Sequence, residues 1–154
     1  MVKKILFSLL LLFSCQLVFS QSAPELFSNY SQERKATYMS LPRAMMSVAA
    51  SKLSDSNVQA VLQEINSAKI LKLDDCKKSV RKKFIKKIKQ LPKYGYEEFT
   101  RVSGNSDMLI MVKQSASNIS EIVMAYNNGS TCTGILVTGN INPEDIDAII
   151  RMAE

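Results

Sequence analysis

Residues 97–139 read EEFTRVSGNSDMLIMVKQSASNISEIVMAYNNGSTCTGILVTG. Within them, four runs have the composition and alternation of β-strands, and short turns rich in Ser, Asn and Gly separate the runs. The strands are predicted at 97–102, 108–114, 119–126 and 131–139. Connections as short as these join only antiparallel neighbours. The stretch therefore predicts four consecutive antiparallel strands, which decide the class of fold.

Two more strands and two helices are predicted upstream. Residues 36–41 alternate like a strand that Pro42 ends, and residues 68–73 form a second run of this kind. Between them, two sets of apolar residues recur at i, i+3, i+4 and i+7, which is typical of one helix face. The sets are Met46, Ala49, Ala50 and Leu53, and Val58, Val61, Leu62 and Ile65.

Residues suited to helix capping mark three further boundaries. Asp55 or Ser56 precedes the second short helix, and Asp74 and Asp75 precede a basic helix. Asn142 precedes a C-terminal helix with one apolar stripe. Each of these side chains is expected to accept hydrogen bonds from the free amides of the helix that follows.

The resulting order is β-α-α-β-α-β-β-β-β-α, which is an α+β fold. We expect an antiparallel or mixed sheet of about five to six strands, with helices packed mainly on one face. Residues 36–154 are assigned to a single domain, and the polar residues 22–35 to an irregular lead-in.

Residues 1–21 have the layout of a secretory signal peptide. Lys3 and Lys4 precede an apolar run at 5–19, and small residues follow it near Ser20. The run is short for a membrane-spanning helix. The pattern predicts cleavage near Ser20 or Gln21 and an exported, periplasmic protein.

Two other fates of this leader stay open. It can be retained as an N-terminal anchor, or residues 12–15 can act as a lipobox that anchors the chain by a lipid at Cys15. Phe13 is bulky for a lipobox, and the apolar run continues beyond Cys15 through Phe19. Both features favour ordinary cleavage over lipid attachment at Cys15.

Residues 76–93, CKKSVRKKFIKKIKQLPK, hold nine of the chain's twenty Lys and Arg and none of its fourteen Asp and Glu. On a helical wheel, one side collects the apolar residues Val80, Phe84, Ile88 and Leu91. The opposite side collects Lys78, Lys82, Lys86 and Lys89, flanked by Lys83 and Lys87. We name these six lysines the lysine face of the basic helix, residues 76–91.

Two interpretations of the lysine face remain. It is either the solvated side of a packed helix or a site for an anionic partner: a membrane surface, an acidic polysaccharide or an acidic protein face. Aligned lysines with no acid at i±4 repel one another, which favours the second interpretation. Nucleic acid is not expected, because the chain is predicted to be exported and Phe84, the one aromatic residue in the run, points inward.

Catalytic patterns are scarce in this sequence. The chain has no histidine, no Gly-x-Ser-x-Gly motif, no Gly-rich phosphate loop and no cluster of metal-ligand type, so we assign no catalytic, cofactor or metal residue. Cys76 follows two carboxylates, which oppose an activated thiolate. Cys76 and Cys132 either pair as a disulfide or remain buried free thiols. The methionines after the leader are interpreted as core residues.

The later half of the chain resembles a known family. Residues 94–99 (YGYEEF), 119–124 (ISEIVM) and 135–141 (ILVTGNI), with the closing helix, resemble an exported family of Bacteroidetes catalogued as domain of unknown function 4252. The resemblance covers about residues 25–154 and implies a small exported α+β protein without an assigned activity. In that family pattern, Gly139 is expected to let the backbone leave the sheet.

Three functions follow from these observations. The first is an exported, non-enzymatic accessory or binding domain of the cell envelope. The alternative is a peripheral membrane- or polyanion-binding protein that acts through the lysine face. The third is a cofactor-free enzyme whose site a single sequence does not reveal.

Overall fold

A computed structural model describes residues 22–153. The predicted signal peptide 1–21, with Cys15, lies outside the described residues. Five helices are α1 (Ala23–Ser31), α2 (Arg43–Ser51), α3 (Ser56–Glu64), α4 (Lys78–Lys89) and α5 (Ile146–Ala153). Six strands are β1 (Thr37–Pro42), β2 (Ile65–Lys72), β3 (Glu97–Val102), β4 (Asp107–Ser115), β5 (Asn118–Asn127) and β6 (Cys132–Ile141).

The strands form one antiparallel sheet in the order β1-β2-β6-β5-β4-β3. The α+β class and the predicted order of elements from β1 onward are confirmed. Strands β3 to β6 are successive neighbours, as their short turns require. The connection from β2 to β3 carries α4 across one face of the sheet, because β3 lies at the far edge.

Both faces of the sheet are covered. Leu109 and Met111 belong to a core under α1 and α4, whereas Ile110 and Val112 belong to a second core under α2, α3 and α5. The helices, which we expected mainly on one face, therefore divide between two. The reason is visible in the run LIMV at 109–112, where consecutive apolar residues supply both faces of a central strand.

The expected irregular lead-in at 22–35 is wrong for its first part, which forms α1. Ser22 caps this helix by accepting a hydrogen bond from the Glu25 amide at 3.3 Å. Leu26 and Phe27 are buried against the sheet. Its apolar residues Ala23, Leu26, Phe27 and Tyr30 fall at i, i+3, i+4 and i+7 and pack into the core. The polar residues between them obscured this helical period.

The three predicted caps have different outcomes. Asp55 accepts hydrogen bonds from two amides of α3, as predicted. Asn142 accepts one from Glu144 at 3.2 Å, but it caps the 3₁₀ turn Pro143–Asp145 that leads into α5 and not α5 itself. The Asp74–Asp75 cap of α4 is wrong: Lys77 occupies the N-cap position and makes no side-chain cap bond. Asp74 instead accepts a 2.6 Å hydrogen bond from the Cys132 amide and so ties the start of β6 to the end of β2.

Gly139 has a different role from the one the family pattern implied. Strand β6 continues through it to Ile141, so the backbone does not leave the sheet there. A Cβ at residue 139 would lie 2.2 Å from the carbonyl oxygen of Glu64. Glycine is required because the chain passing from α3 into β2 approaches β6 this closely.

Candidate functional site

Helix α4 presents the lysine face because its apolar side is held firmly on the sheet. Phe84, Ile88 and the following Leu91 are fully buried, and Val80 is half-buried against them, as the wheel predicted. The ring of Phe84 makes edge contacts with two rings of α1. The centroid distances are 5.8 Å to Phe27 and 5.2 Å to Tyr30. These aromatic contacts fix the rotation of α4 about its axis.

A glycine in β6 lets α4 lie close to the sheet. A Cβ at Gly134 would lie 2.7 Å from Cζ of Phe84 and 3.0 Å from Cζ of Phe27. Two rings from different helices therefore meet over one residue without a side chain. This contact sets the height of the lysine face above the sheet.

The centre of the exposed side differs from the wheel. Ile85 is also buried, so the helix is rotated and Lys82, Lys83 and Lys86 lie furthest from the sheet. Lys78 and Lys87 are exposed beside them. Lys89 is half-buried and forms an ion pair with Asp107 at 3.2 Å, so it does not belong to the outward face on which it was placed.

Arg81 belongs to the same basic run but has a structural role. Its Nη1 donates to the carbonyl oxygens of Gly129 and Ser130, the latter at 3.0 Å. These bonds join the first turns of α4 to the β5–β6 turn. The guanidinium is therefore committed to the protein's own backbone.

The electrostatics of α4 are unbalanced along its length. Lys86, Lys87 and Lys89 lie in the last turn, where the helix dipole favours cations. Lys78 lies in the first turn, where the dipole disfavours a cation, and no acid offsets it there. Among residues 22–153, Lys78, Lys82, Lys83 and Lys86 form no ion pair. The exposed side is thus a concentrated positive surface.

The two cysteines lie under this helix as free thiols, which decides between the two expected states. Both belong to the core that α4 covers. Burial is the main cause that raises the pKa of Cys76, followed by Glu33 and Asp75. Burial likewise raises the pKa of Cys132 to about 12. Raised pKa values keep both thiols protonated near neutral pH, as expected of packed cysteines.

A buried polar contact near α1 was not predicted. The Tyr96 hydroxyl donates to Glu121 and accepts a 2.9 Å hydrogen bond from the Ala23 amide. Lys113 lies over the Tyr96 ring, with Nζ 5.1 Å from its centroid. These residues are far apart in sequence, and no local pattern in the chain announces the contact.

Two further kinds of site are absent from residues 22–153. Among residues 22–153, no group of three or more Cys, Asp and Glu side chains is placed to hold a metal ion. In the same part of the chain, no helix has the length and apolar content needed to cross a membrane.

The sequence model of a protein family, described as Domain of unknown function (DUF4252), matches residues 30–149 of the chain. No curated protein and no solved structure matches the chain.

Proposed function

Since the chain belongs to the DUF4252 family, a domain of unknown function, we propose that it is an exported, non-enzymatic accessory or binding domain of the cell envelope. Export is supported by the leader at 1–21, which has two lysines before an apolar run and small residues after it. The proposal places the folded domain in the periplasm.

The export proposal is tested on the full-length chain expressed in a Gram-negative host. The expected result is a periplasmic protein whose intact mass corresponds to a start within a few residues of Ser22. An unprocessed chain in the cytosol overturns export. A lipid-modified N-terminus at Cys15 overturns the soluble periplasmic form.

A specific observation favours one mode of binding, attachment to an anionic surface through the lysine face. Lys78, Lys82, Lys83 and Lys86 are exposed and form no ion pair among the described residues. Near an anionic membrane surface, each lysine contributes roughly 1 kcal/mol of attraction. An acidic polysaccharide or an acidic protein face would be bound by the same charges.

Co-sedimentation with lipid vesicles tests this binding mode. Vesicles containing phosphatidylglycerol are expected to retain the protein at low salt and release it at high salt, whereas phosphatidylcholine vesicles do not retain it. Replacing the four exposed lysines Lys78, Lys82, Lys83 and Lys86 by Gln should weaken retention at least about tenfold, given roughly 1 kcal/mol per lysine.

A matched control removes the same charge elsewhere. Arg34, Lys35, Lys52 and Arg151 are exposed outside α4, and a quadruple Gln variant at these positions has the same net charge. It should retain vesicle binding. If both quadruple variants lose binding equally, net charge and not the lysine face is responsible, and the proposed site is rejected.

A further inference from the structure

An apolar cleft lies on the face of the sheet opposite α4. Helix α5 covers only part of the second core, and beside it a cavity of about 390 Å³ remains open. Its lining includes Met108, Met124, Tyr126, Thr133, Ile135 and Ile150. The cavity is mostly apolar, with two hydroxyl groups among these side chains.

The cleft continues past the end of α5. A second apolar cavity of about 270 Å³ lies on the other side of the helix, next to α2 and α3. Met124, Ile135 and Ala153 line both cavities. The two cavities are therefore neighbours around Ala153 in the last turn of α5, and we name the pair the apolar trough.

Four methionines line this trough: Met108 and Met124 the first cavity, and Met46, Met124 and Met152 the second. The interpretation of the methionines as core residues is wrong for Met39, Met45 and Met152, which are 52%, 54% and 42% exposed. Met39 pairs in register with Ile70, which lines the second cavity. Methionine side chains are flexible and adapt to apolar ligands of irregular shape.

Lys72 lies beside Thr133, a residue that lines the first cavity. Lys72 pairs in register with Thr133, so both lie on the cleft face, and Thr133 pairs in turn with Tyr126. A row across the sheet thus ends the apolar trough with two hydroxyl groups and an exposed ammonium group. A ligand that fits this row carries an anionic oxygen group at one end of an apolar chain.

We propose that the cleft binds a long-chain carboxylic acid, with the acyl chain in the trough and the carboxylate beside Lys72, Thr133 and Tyr126. The cavity volume lies within the range of small-ligand pockets, and such pockets combine an apolar lining with a few polar groups. A folded protein partner suits the cleft less well, because a stable interface needs roughly 800 Å² per partner and the apolar atoms here are recessed beside α5.

The binding test uses palmitate below its micelle concentration, measured by displacement of the fluorescent polyene cis-parinaric acid. Ala153→Trp places an indole where the two cavities meet and should weaken palmitate binding at least tenfold. Arg151→Trp adds the same side chain to an exposed position of α5 that lines neither cavity, and it should bind like wild type. No palmitate binding by the wild type, or equal loss in both variants, overturns the proposal.

A second variant tests the carboxylate end. Lys72→Gln should weaken palmitate binding severalfold and leave binding of hexadecanol, which has no charge, unchanged. The Gln variant of Lys78, Lys82, Lys83 and Lys86 should still bind palmitate as the wild type does. If that variant loses palmitate binding, the fatty acid binds at the lysine face and the cleft proposal fails. Thermal unfolding of each variant checks that it remains folded.

Discussion

The Tyr96 hydroxyl accepts a 2.9 Å hydrogen bond from the Ala23 amide, which joins two residues 73 positions apart. The same hydroxyl donates to Glu121. Tyr96 is 3% exposed, so its hydroxyl is largely removed from water. This one side chain connects the first turn of α1 to the chain after α4 and to β5.

Tyr96→Phe should therefore destabilise the protein. The Ala23 amide would lose its partner in a buried place, which costs about 1–3 kcal/mol of unfolding free energy. Urea denaturation of both proteins measures the difference. Tyr38→Phe is the control, because Tyr38 is 39% exposed on an edge strand. Removing the Tyr38 hydroxyl should change the free energy of unfolding by less than about 0.5 kcal/mol. Equal small effects would show that the Tyr96 contact does not anchor α1.

Tyr96 should also make stability depend on alkaline pH. Burial, followed by the hydrogen bond to Glu121, raises the pKa of Tyr96 above its ordinary value near 10. Because the folded state holds this proton more tightly than the unfolded state, the contribution is complete below pH 10 and is lost as pH rises further. The free energy of unfolding should fall above pH 10 more steeply in wild type than in Tyr96→Phe. Parallel curves would contradict this.

Gly134→Ala should destabilise the packing of α4 and α1 on the sheet. The new Cβ would lie 2.7 Å from Cζ of Phe84, a contact that forces the ring to move and costs about 1–3 kcal/mol. Gly104→Ala is the control, since nothing lies within 4 Å of a Cβ there. Gly134→Ala should destabilise a protein that already carries Phe84→Leu less than it destabilises the wild type. A neutral Gly134→Ala would show that α4 is not seated as described.

Replacing four exposed lysines of the lysine face should leave the fold intact. The Gln variant of Lys78, Lys82, Lys83 and Lys86 loses like-charge pairs that each cost a few tenths of a kcal/mol, about 0.2–0.5 on an exposed helix. Its melting temperature at low salt should equal or exceed that of wild type, and the difference should vanish at high salt. A lower melting temperature would mean that these lysines stabilise the fold.

The thiols should react slowly in the folded protein. Burial raises the pKa of Cys76 and that of Cys132, so little thiolate is present at neutral pH. Iodoacetamide should modify neither cysteine of the native protein over a time in which both react in denaturant. Mass spectrometry counts the modified thiols. Rapid native labelling of Cys76 would contradict a packed role and reopen a reactive one.

The strands were predictable because each carries its own pattern. The run at 109–112 and the turn-rich links on either side of β4 mark a central antiparallel strand without knowledge of its neighbours. Helix α4 was predictable for the same reason, since its apolar and charged sides separate at a helical period. Local periodicity therefore determined the class of fold and the location of the lysine face.

Features that depend on distant contacts were not predictable. The rotation of α4 depends on where Ile85 packs, and the pairing of Lys89 depends on Asp107 at the start of β4. Helix α1, by contrast, carries a local signal, a Ser22 cap and apolar residues at 23, 26, 27 and 30, which the polar composition of residues 22–35 obscured. The cleft beside α5 exists because a short helix leaves part of a sheet face uncovered, which no single segment of sequence specifies.

The place of β6 between β2 and β5 has a consequence for the order of assembly. The first two strands come well before the last one in the chain, so β2 has only β1 beside it until the strand that begins at residue 132 is available. The hairpins of β3, β4 and β5 can form in the meantime from contacts close in sequence. Closure of the sheet is then a late event, and an interrupted chain that ends before β6 leaves two separate halves without the strand that joins them.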